Sequence, residues 1–303
     1  MSEAKTDIYA TVTNKILADL ENGNLPWHKS WNGGDSLALP LRWNGESYNG
    51  INIIMLWCSA MAKGYKSPTW MTFKQALELG AAVRKGEKGS TVVYANAIMK
   101  NEINEKTGAD EERAIHYLKS YTVFNVEQID GLPDRFKVID KPKFANPDEQ
   151  NAALDAYFKA TGADIRHGGN RAFFALIDDF VQMPEFKDFE SAEAYYSVLA
   201  HEMTHWTGHK SRLAREQKSY HDSKTDYAKE ELIAELGAAF LCAELAITPE
   251  TRLDHAAYIQ SWIAALKNDK RFIFSAASHA SKAVDYLNRI TGRKTSTNQE
   301  AEA

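Results

Sequence analysis

Apolar side chains recur every fourth residue near the start of the chain: Ile8, Val12, Ile16 and Leu20, with Gly23 just beyond. That spacing predicts an amphipathic helix over residues 7–22, stopped by the glycine. Tyr48-Asn49-Gly50 leads into a second helix, the apolar run Ile51 to Lys63, and Thr72 to Gly80 predicts a third. Thr91 to Met99 and His116 to Phe124 have strand composition, with the charge-rich Asn101 to Arg113 between them as a hairpin tip. Three of the eight prolines fall between 131 and 150, which marks a boundary. Past it come a helix over Glu149 to Thr161 and two strands, Ala163 to Arg166 and Ala172 to Gln182. Helices follow near 192–207, over Tyr227 to Ile247, and near Leu253 to Asn268 and Phe274 to Arg289. Lys294 to Ala303 is a polar tail expected to be disordered. Together the elements predict an α+β fold of two domains: an N-terminal α/β domain over 1–130, a linker over 131–150, and a mostly helical domain with a small sheet over 151–293.

Composition narrows the class. The chain has 303 residues, 44% hydrophobic and 25% charged, ordinary for a soluble globular protein. A formal net charge of -5 argues against wholesale coating of nucleic acid but permits a local basic groove. The two cysteines, Cys58 and Cys242, offer neither ligand spacing nor a disulfide framework, which fits a reducing cytoplasm. The first residues do not resemble a signal peptide, and the longest apolar stretch, Ile51 to Ala62, is too short to span a bilayer, so no membrane partner is expected.

One stretch carries chemistry. His201-Glu202-Met203-Thr204-His205 follows a run of helix-forming composition from Ala192 to Ala200, and Gly208 lies just beyond. On a helix, positions i and i+4 share a face, so His201 and His205 can offer two imidazole nitrogens to one metal ion. Glu202 sits one step round, placed as a general base. A divalent ion lowers the pKa of water from about 15.7 to about 7, and a carboxylate can then take the proton during attack. That is the minimal equipment of a zinc hydrolase.

Such sites use a third protein ligand. A third histidine in the metzincin position would fall at 211, which is Ser211, and His209 comes two positions too early, after the glycine. The helix from Tyr227 carries Glu230, Glu231 and Glu235 within an apolar run. Glu231 and Glu235 are four apart, an arrangement similar to the gluzincin Glu-x-x-x-Asp. On that pattern Glu231 binds metal and Glu235 orients His201, with Glu230, about 100° round the helix, as the rival ligand. Zinc is the expected ion, although two His and one Glu also accept Mn2+ or another divalent metal. The connection Ser211 to Asp226 is basic and polar and is placed to cover the metal cleft; His209, Tyr220 and His221 are candidate oxyanion stabilisers. Ala172 to Gln182, just ahead of the metal helix, is placed to hold an extended substrate by β-addition.

The N-terminal part has a different inventory. Five of the seven tryptophans fall between 27 and 70, among Tyr48, Tyr65 and Phe73. Lys63, Lys66, Lys74, Arg84, Lys85 and Lys88 lie among only two acidic residues. Rings interleaved with cations suit single-stranded nucleic acid, because bases stack and the cations track phosphates. Trp27, Trp31, Tyr48, Tyr65 and Trp70 are the candidate platforms.

The chain resembles the ArdC-type antirestriction proteins of conjugative plasmids over residues 8–291. The N-terminal resemblance rests on Leu25-Pro26-Trp27, Tyr48-Asn49-Gly50-Ile51-Asn52, Gly64-Tyr65, Ser67-Pro68-Thr69-Trp70, Arg84 to Gly89 and Val123 to Gln128. The C-terminal resemblance rests on His201 to His209, Arg212-Leu213 and Glu230 to Leu241. The N-terminal part is also similar to the start of a plasmid-encoded conjugative primase family. The resemblance implies an N-terminal domain that binds single-stranded DNA, a C-terminal zincin-like metallopeptidase domain, and protection of incoming plasmid DNA from host restriction endonucleases. Relatives often carry a polar, Tyr- and Ser-containing strand before the metal helix; here it is Ala172-Phe173-Phe174-Ala175-Leu176-Ile177. Two alternatives stand beside this reading. One is a pure binding protein, blocking restriction through DNA or the restriction enzyme, with a structural or vestigial metal. The other is a regulatory metallopeptidase that uses DNA only for localisation and acts on a peptide substrate.

Overall fold

The computed structural model describes residues 7–27, 38–103, 110–136, 146–217, 223–248 and 255–293. Helix α1 (Ile8–Glu21) starts where the Asp7 carboxylate accepts from the Ala10 amide, and it buries Val12, Ile16, Leu17 and Leu20 as one stripe. Strand β1 (Leu41–Arg42) precedes α2 (Ile51–Lys63). Gly64 ends α2 in the left-handed conformation, with φ of 72°, that a side chain would disfavour. Strand β2 (Thr69–Thr72) runs straight into α3 (Phe73–Glu78), where Thr72 and Gln75 cap each other reciprocally. A two-residue strand β3 (Ala82–Val83) is followed by a long hairpin, β4 (Ser90–Ile103) and β5 (Asp110–Asn125), and by β6 (Ile129–Asp130).

Both hairpin strands run well into the charged stretch expected to be a loose tip, because the antiparallel register continues unbroken from Ser90↔Val123 to Ile103↔Asp110. The four-stranded sheet has the order β1-β2-β5-β4, and β3 pairs with β6 separately. Strand β4 is an edge, and α2 covers part of it: Asn52 donates to the Val93 carbonyl and accepts from its amide, each at 2.8 Å.

The second part opens with α4 (Pro147–Ala160), capped by Asn146. Strands β7 (Asp164–His167), β8 (Phe173–Ala175) and β9 (Phe180–Met183) form a sheet of order β7-β9-β8. The single strand expected over Ala172 to Gln182 is therefore a hairpin. It turns at Asp179, whose φ of 55° takes the chain through the left-handed region, and it leaves β8 as an edge strand. Helices α5 (Ala192–Thr207), α6 (Lys224–Leu245), α7 (His255–Asn268) and α8 (Phe272–Ile290) complete the fold. Among the described residues no helix is long and apolar enough to cross a membrane.

Residues 137–145 of the proline-bearing interval lie outside the described set, and a small cluster of Met71, Ala76, Ala81, Val126, Ile129 and Leu132 lies on their N-terminal side. Buried side chains of α1 and α2 form one cluster with those of α5 to α8. Helix α1 lies against α7. Thr13 donates to the Lys270 carbonyl at 2.7 Å, and the amide of Gly50 donates to Ser281 Oγ at 2.8 Å. The Trp27 ring meets Trp262 edge-on at 6.1 Å, and Trp57 meets Phe240 at 5.7 Å. Thus the N-terminal helices brace the bundle that carries the metal helix. The expected tail, 294–303, lies outside the described residues.

Candidate metal centre

Helix α5 starts at Ser191, whose hydroxyl accepts from the Ala194 amide at 2.9 Å, and it carries His201, Glu202 and His205 into the interior. The next helix, α6, crosses it closely because Gly237 faces Thr204. A Cβ on Gly237 would come within 2.5 Å of the Thr204 methyl group, and Thr204 is itself fully buried. That close approach lets Glu231 reach both histidines. Glu231 Oε2 lies 3.6 Å from His201 Nε2, and Glu231 Oε1 lies 3.6 Å from His205 Nε2. One donor atom from each of the three residues falls within 4.8 Å of the others.

Each histidine also has a carboxylate behind it. His201 Nδ1 is 3.5 Å from Glu235 Oε1, and His205 Nδ1 donates to Glu230 Oε1 at 3.2 Å. A carboxylate bonded at Nδ1, as Glu230 is for His205, keeps a proton there and turns Nε2 toward a metal; Glu235 lies near His201 Nδ1 without a hydrogen bond to it. Both Nε2 atoms face Glu231, and with their protons displaced they form a donor set of two nitrogens and one carboxylate that fits a divalent cation.

Glu230, read from the sequence as a rival ligand, sits on the far side of His205 from Glu231. It is held there by the segment 208–217. Arg215 Nη2 donates to Glu230 Oε1 at 2.7 Å and to the Thr204 carbonyl at 2.6 Å, and its Nη1 reaches Thr207 Oγ1 at 2.8 Å. Gln217 Nε2 bridges the His205 carbonyl at 2.7 Å and Glu230 Oε1 at 3.0 Å. A side chain on Gly208 would collide with both Arg215 and Gln217, so the glycine is needed for more than ending the helix.

The electrostatics follow. Burial works to raise the carboxyls of Glu230 and Glu231. For Glu230 the hydrogen bonds from His205 and Arg215 outweigh it; for Glu231 the neighbouring His201 imidazole and the charge of His205 do so. Each ends at about 2. Burial works to lower His205, but the Glu230 hydrogen bond and the charges of Glu231 and Glu230 hold it at about 9. A cluster this rich in carboxylates draws positive charge.

The remaining candidates distribute unevenly. His209 is anchored away from the three-atom cluster: its Nδ1 is 2.7 Å from Ser211 Oγ and 3.7 Å from Asp179 Oδ2. Tyr220 and His221 lie outside the described residues. A residue the sequence reading passed over is Tyr227, one turn before Glu231 on α6. Its hydroxyl neighbours the Glu231 carboxylate and helps to hold that carboxyl low, and it lies 3.4 Å from the Tyr258 hydroxyl. The i, i+4 spacing to Glu231 was its available signal. Arg212 closes the connection onto the small sheet, pairing both Asp179 oxygens while its guanidinium lies 3.9 Å over the Trp206 ring.

In the N-terminal part, two proposed stacking platforms are core. Trp27 is 0% exposed and Trp70 1%, so neither has a ring face to offer. Tyr48 is buried too, and Trp31 lies outside the described residues. Tyr65 is half-buried, edge-on to Trp70 at 5.8 Å. Lys63, Lys66, Lys74, Lys85 and Lys88 are exposed. Lys74 pairs with Glu78 at 3.7 Å, and Arg84 is taken up by Glu87 at 2.8 Å and Asp130 at 3.5 Å, which leaves the turn less basic than its sequence. The exposed rings are others: Phe73 at 52%, Tyr121 and Trp43.

Two histidines one turn apart on a helix, facing a glutamate from the next helix beside a small sheet, define the zincin class. Residues 152–279 match the family model of a zincin-like metallopeptidase, and residues 6–124 match that of the N-terminal domain of anti-restriction factor ArdC. The metal-free crystal structure of the antirestriction ArdC protein from plasmid R388 is 49% identical, with a TM-score of 0.79, covering 95% of this chain and 98% of that one. Its Mn(II)-bound structure is 47% identical at a TM-score of 0.76, covering 97% and 100%. The chain belongs to the ArdC-type antirestriction family. It is also 39% identical to the uncharacterized protein y4eC of Sinorhizobium fredii, over 94% of this chain and 92% of that protein. A DNA primase TraC of Escherichia coli is 38% identical over 95% of this chain, which spans only 27% of the primase.

Proposed function

We propose that this chain binds single-stranded DNA in the cytoplasm and protects incoming plasmid DNA from host restriction endonucleases, and that it carries a metal-dependent peptidase site. The observation that carries the second half is the convergence of His201 Nε2, His205 Nε2 and Glu231 on one point, with the buried Glu202 beside them on α5. A divalent ion held there, zinc or manganese, supplies Lewis-acid polarisation and acidifies water. The Mn(II)-bound structure of the R388 relative supports a divalent ion at this site. Glu202 takes the proton of the attacking water and returns it to the leaving amine. Tyr227, one turn before Glu231 on α6, favours the ionised form of that ligand carboxylate.

The DNA-binding half is supported by the family match over residues 6–124 and by the surface of the four-stranded sheet. Strands β1 and β2 run parallel, and Trp43 and Phe73 each follow the last residue of one of them. Both rings therefore leave the sheet at the same end, with Lys74 next to Phe73. They replace Trp27 and Trp70 as stacking platforms.

The test is Glu202→Gln in the full chain, assayed for protection of transferred DNA and for single-stranded DNA affinity. Lost protection with affinity intact supports a peptidase step in antirestriction. Full protection by Glu202→Gln overturns the peptidase half and leaves a DNA-binding blocker.

A further inference from the structure

Glu230 and Glu231 are neighbours on α6, both buried and both against His205, yet only Glu231 also reaches His201 and has its carboxylate between the two Nε2 atoms. The geometry points to Arg215 as the positioning residue that decides this. Its guanidinium pins Glu230 behind His205, so that Glu230 orients the ring and stays out of the ligand set. This rests on the metal-site reading above.

Arg215 spans four acceptors: both Glu230 oxygens, the Thr204 carbonyl and Thr207 Oγ1. Two of these lie on α5 itself, so the arginine is fixed to the helix that carries His205. Glu230 is thereby fixed relative to His205 and not only to α6. With Glu230 Oε1 accepting from Arg215, Gln217 and His205 Nδ1, its lone pairs on that side are spent. His205 must then carry its proton on Nδ1 and present Nε2 toward Glu231. Arginine is suited to this because its planar fork bonds a carboxylate in two places while a third N–H reaches elsewhere.

The test uses Co(II) as the probe on full-length protein, following affinity by chelator competition and the ligand field by visible absorption. Arg215→Met alone leaves a buried carboxylate unpaired and could unfold, so the decisive variant is Arg215→Met with Glu230→Gln, which removes both charges together. The double variant is expected to melt near the wild type yet bind Co(II) about 10–100-fold more weakly, with altered absorption, because His205 has lost its orienting carboxylate. A double variant that recovers wild-type affinity and spectrum along with stability would make the pair merely structural and overturn the proposal. A wild-type protein that takes up no Co(II) removes the metal-site reading, and this inference falls with it.

Discussion

At the residue scale, the site depends on which nitrogen of each imidazole carries the proton. Glu235 and Glu230 lie behind the two Nδ1 atoms, and Glu231 lies before the two Nε2 atoms. Replacing Glu235 by Ala should weaken metal retention by about 10–100-fold without removing a ligand, measured by chelator competition; an unchanged affinity would show that His201 needs no orienting partner. The H-E-x-x-H motif, helical spacing and the gluzincin-like Glu-x-x-x-Glu pointed to His201, Glu202, His205, Glu231 and Glu235, and the structure gathers His201, His205 and Glu231 at one place. Glu230 was ambiguous because a position 100° round a helix does not say whether a long side chain bends toward Nδ1 or Nε2. Arg215 was invisible because a connecting segment has no period from which to read where its side chains reach. The tryptophans misled for another reason: stacking platforms and core residues have the same composition. Trp27→Ala should cost about 3–5 kcal/mol of stability and leave single-stranded DNA affinity unchanged in the folded fraction. Phe73→Ala should do the reverse, losing about 1–3 kcal/mol of binding at unchanged melting temperature. Fluorescence anisotropy beside thermal melts separates the two.

At the element scale, the spacing of α5 and α6 is the quantity that matters, and Gly237 sets it. Gly237→Ala would press a methyl group against the buried Thr204. A cost of about 1–3 kcal/mol is expected from the overpacking, together with weaker metal binding as Glu231 is pushed off the histidines. Stability lost with metal affinity intact would mean that the helices part somewhere else. The hairpin of β8 and β9 is tied to the segment after α5 by Arg212 and Asp179. Arg212 holds the Asp179 carboxyl below its ordinary range. The folded state thus favours the ionised form, so this tie contributes fully above about pH 4, the unfolded carboxyl value, and fades as pH falls toward the lowered folded value. The hairpin itself was not read from the sequence. Ala172 to Gln182 is apolar on either side of Asp178-Asp179, and that acidic pair is the turn signal that a single-strand reading overlooks.

At the scale of the whole molecule, the two family domains contribute to one large hydrophobic cluster, while a smaller one of Met71, Ala76, Ala81, Val126, Ile129 and Leu132 belongs to the N-terminal part. The apolar stripe of α1 was plain in the sequence, but its partner was not, since α7 lies some 250 residues on and periodicity identifies a buried face without saying what buries it. Removing α1 and Trp27 should therefore destabilise the metal-binding part as well as the DNA-binding part. The check is a single thermal transition for the full chain against a lowered, broadened one for a fragment starting at residue 146. An unaltered melting temperature in that fragment would show that the C-terminal part stands alone.

The measurement that bears most directly on the central claim is the metal content of the full chain and of Glu231→Ala, by mass spectrometry after dialysis, with circular dichroism to confirm folding. The wild type is expected to retain about one divalent ion per chain, as a site with three protein ligands does, and Glu231→Ala to lose it while remaining folded. A folded Glu231→Ala protein that keeps the ion at wild-type occupancy would contradict the site assembled from His201, His205 and Glu231.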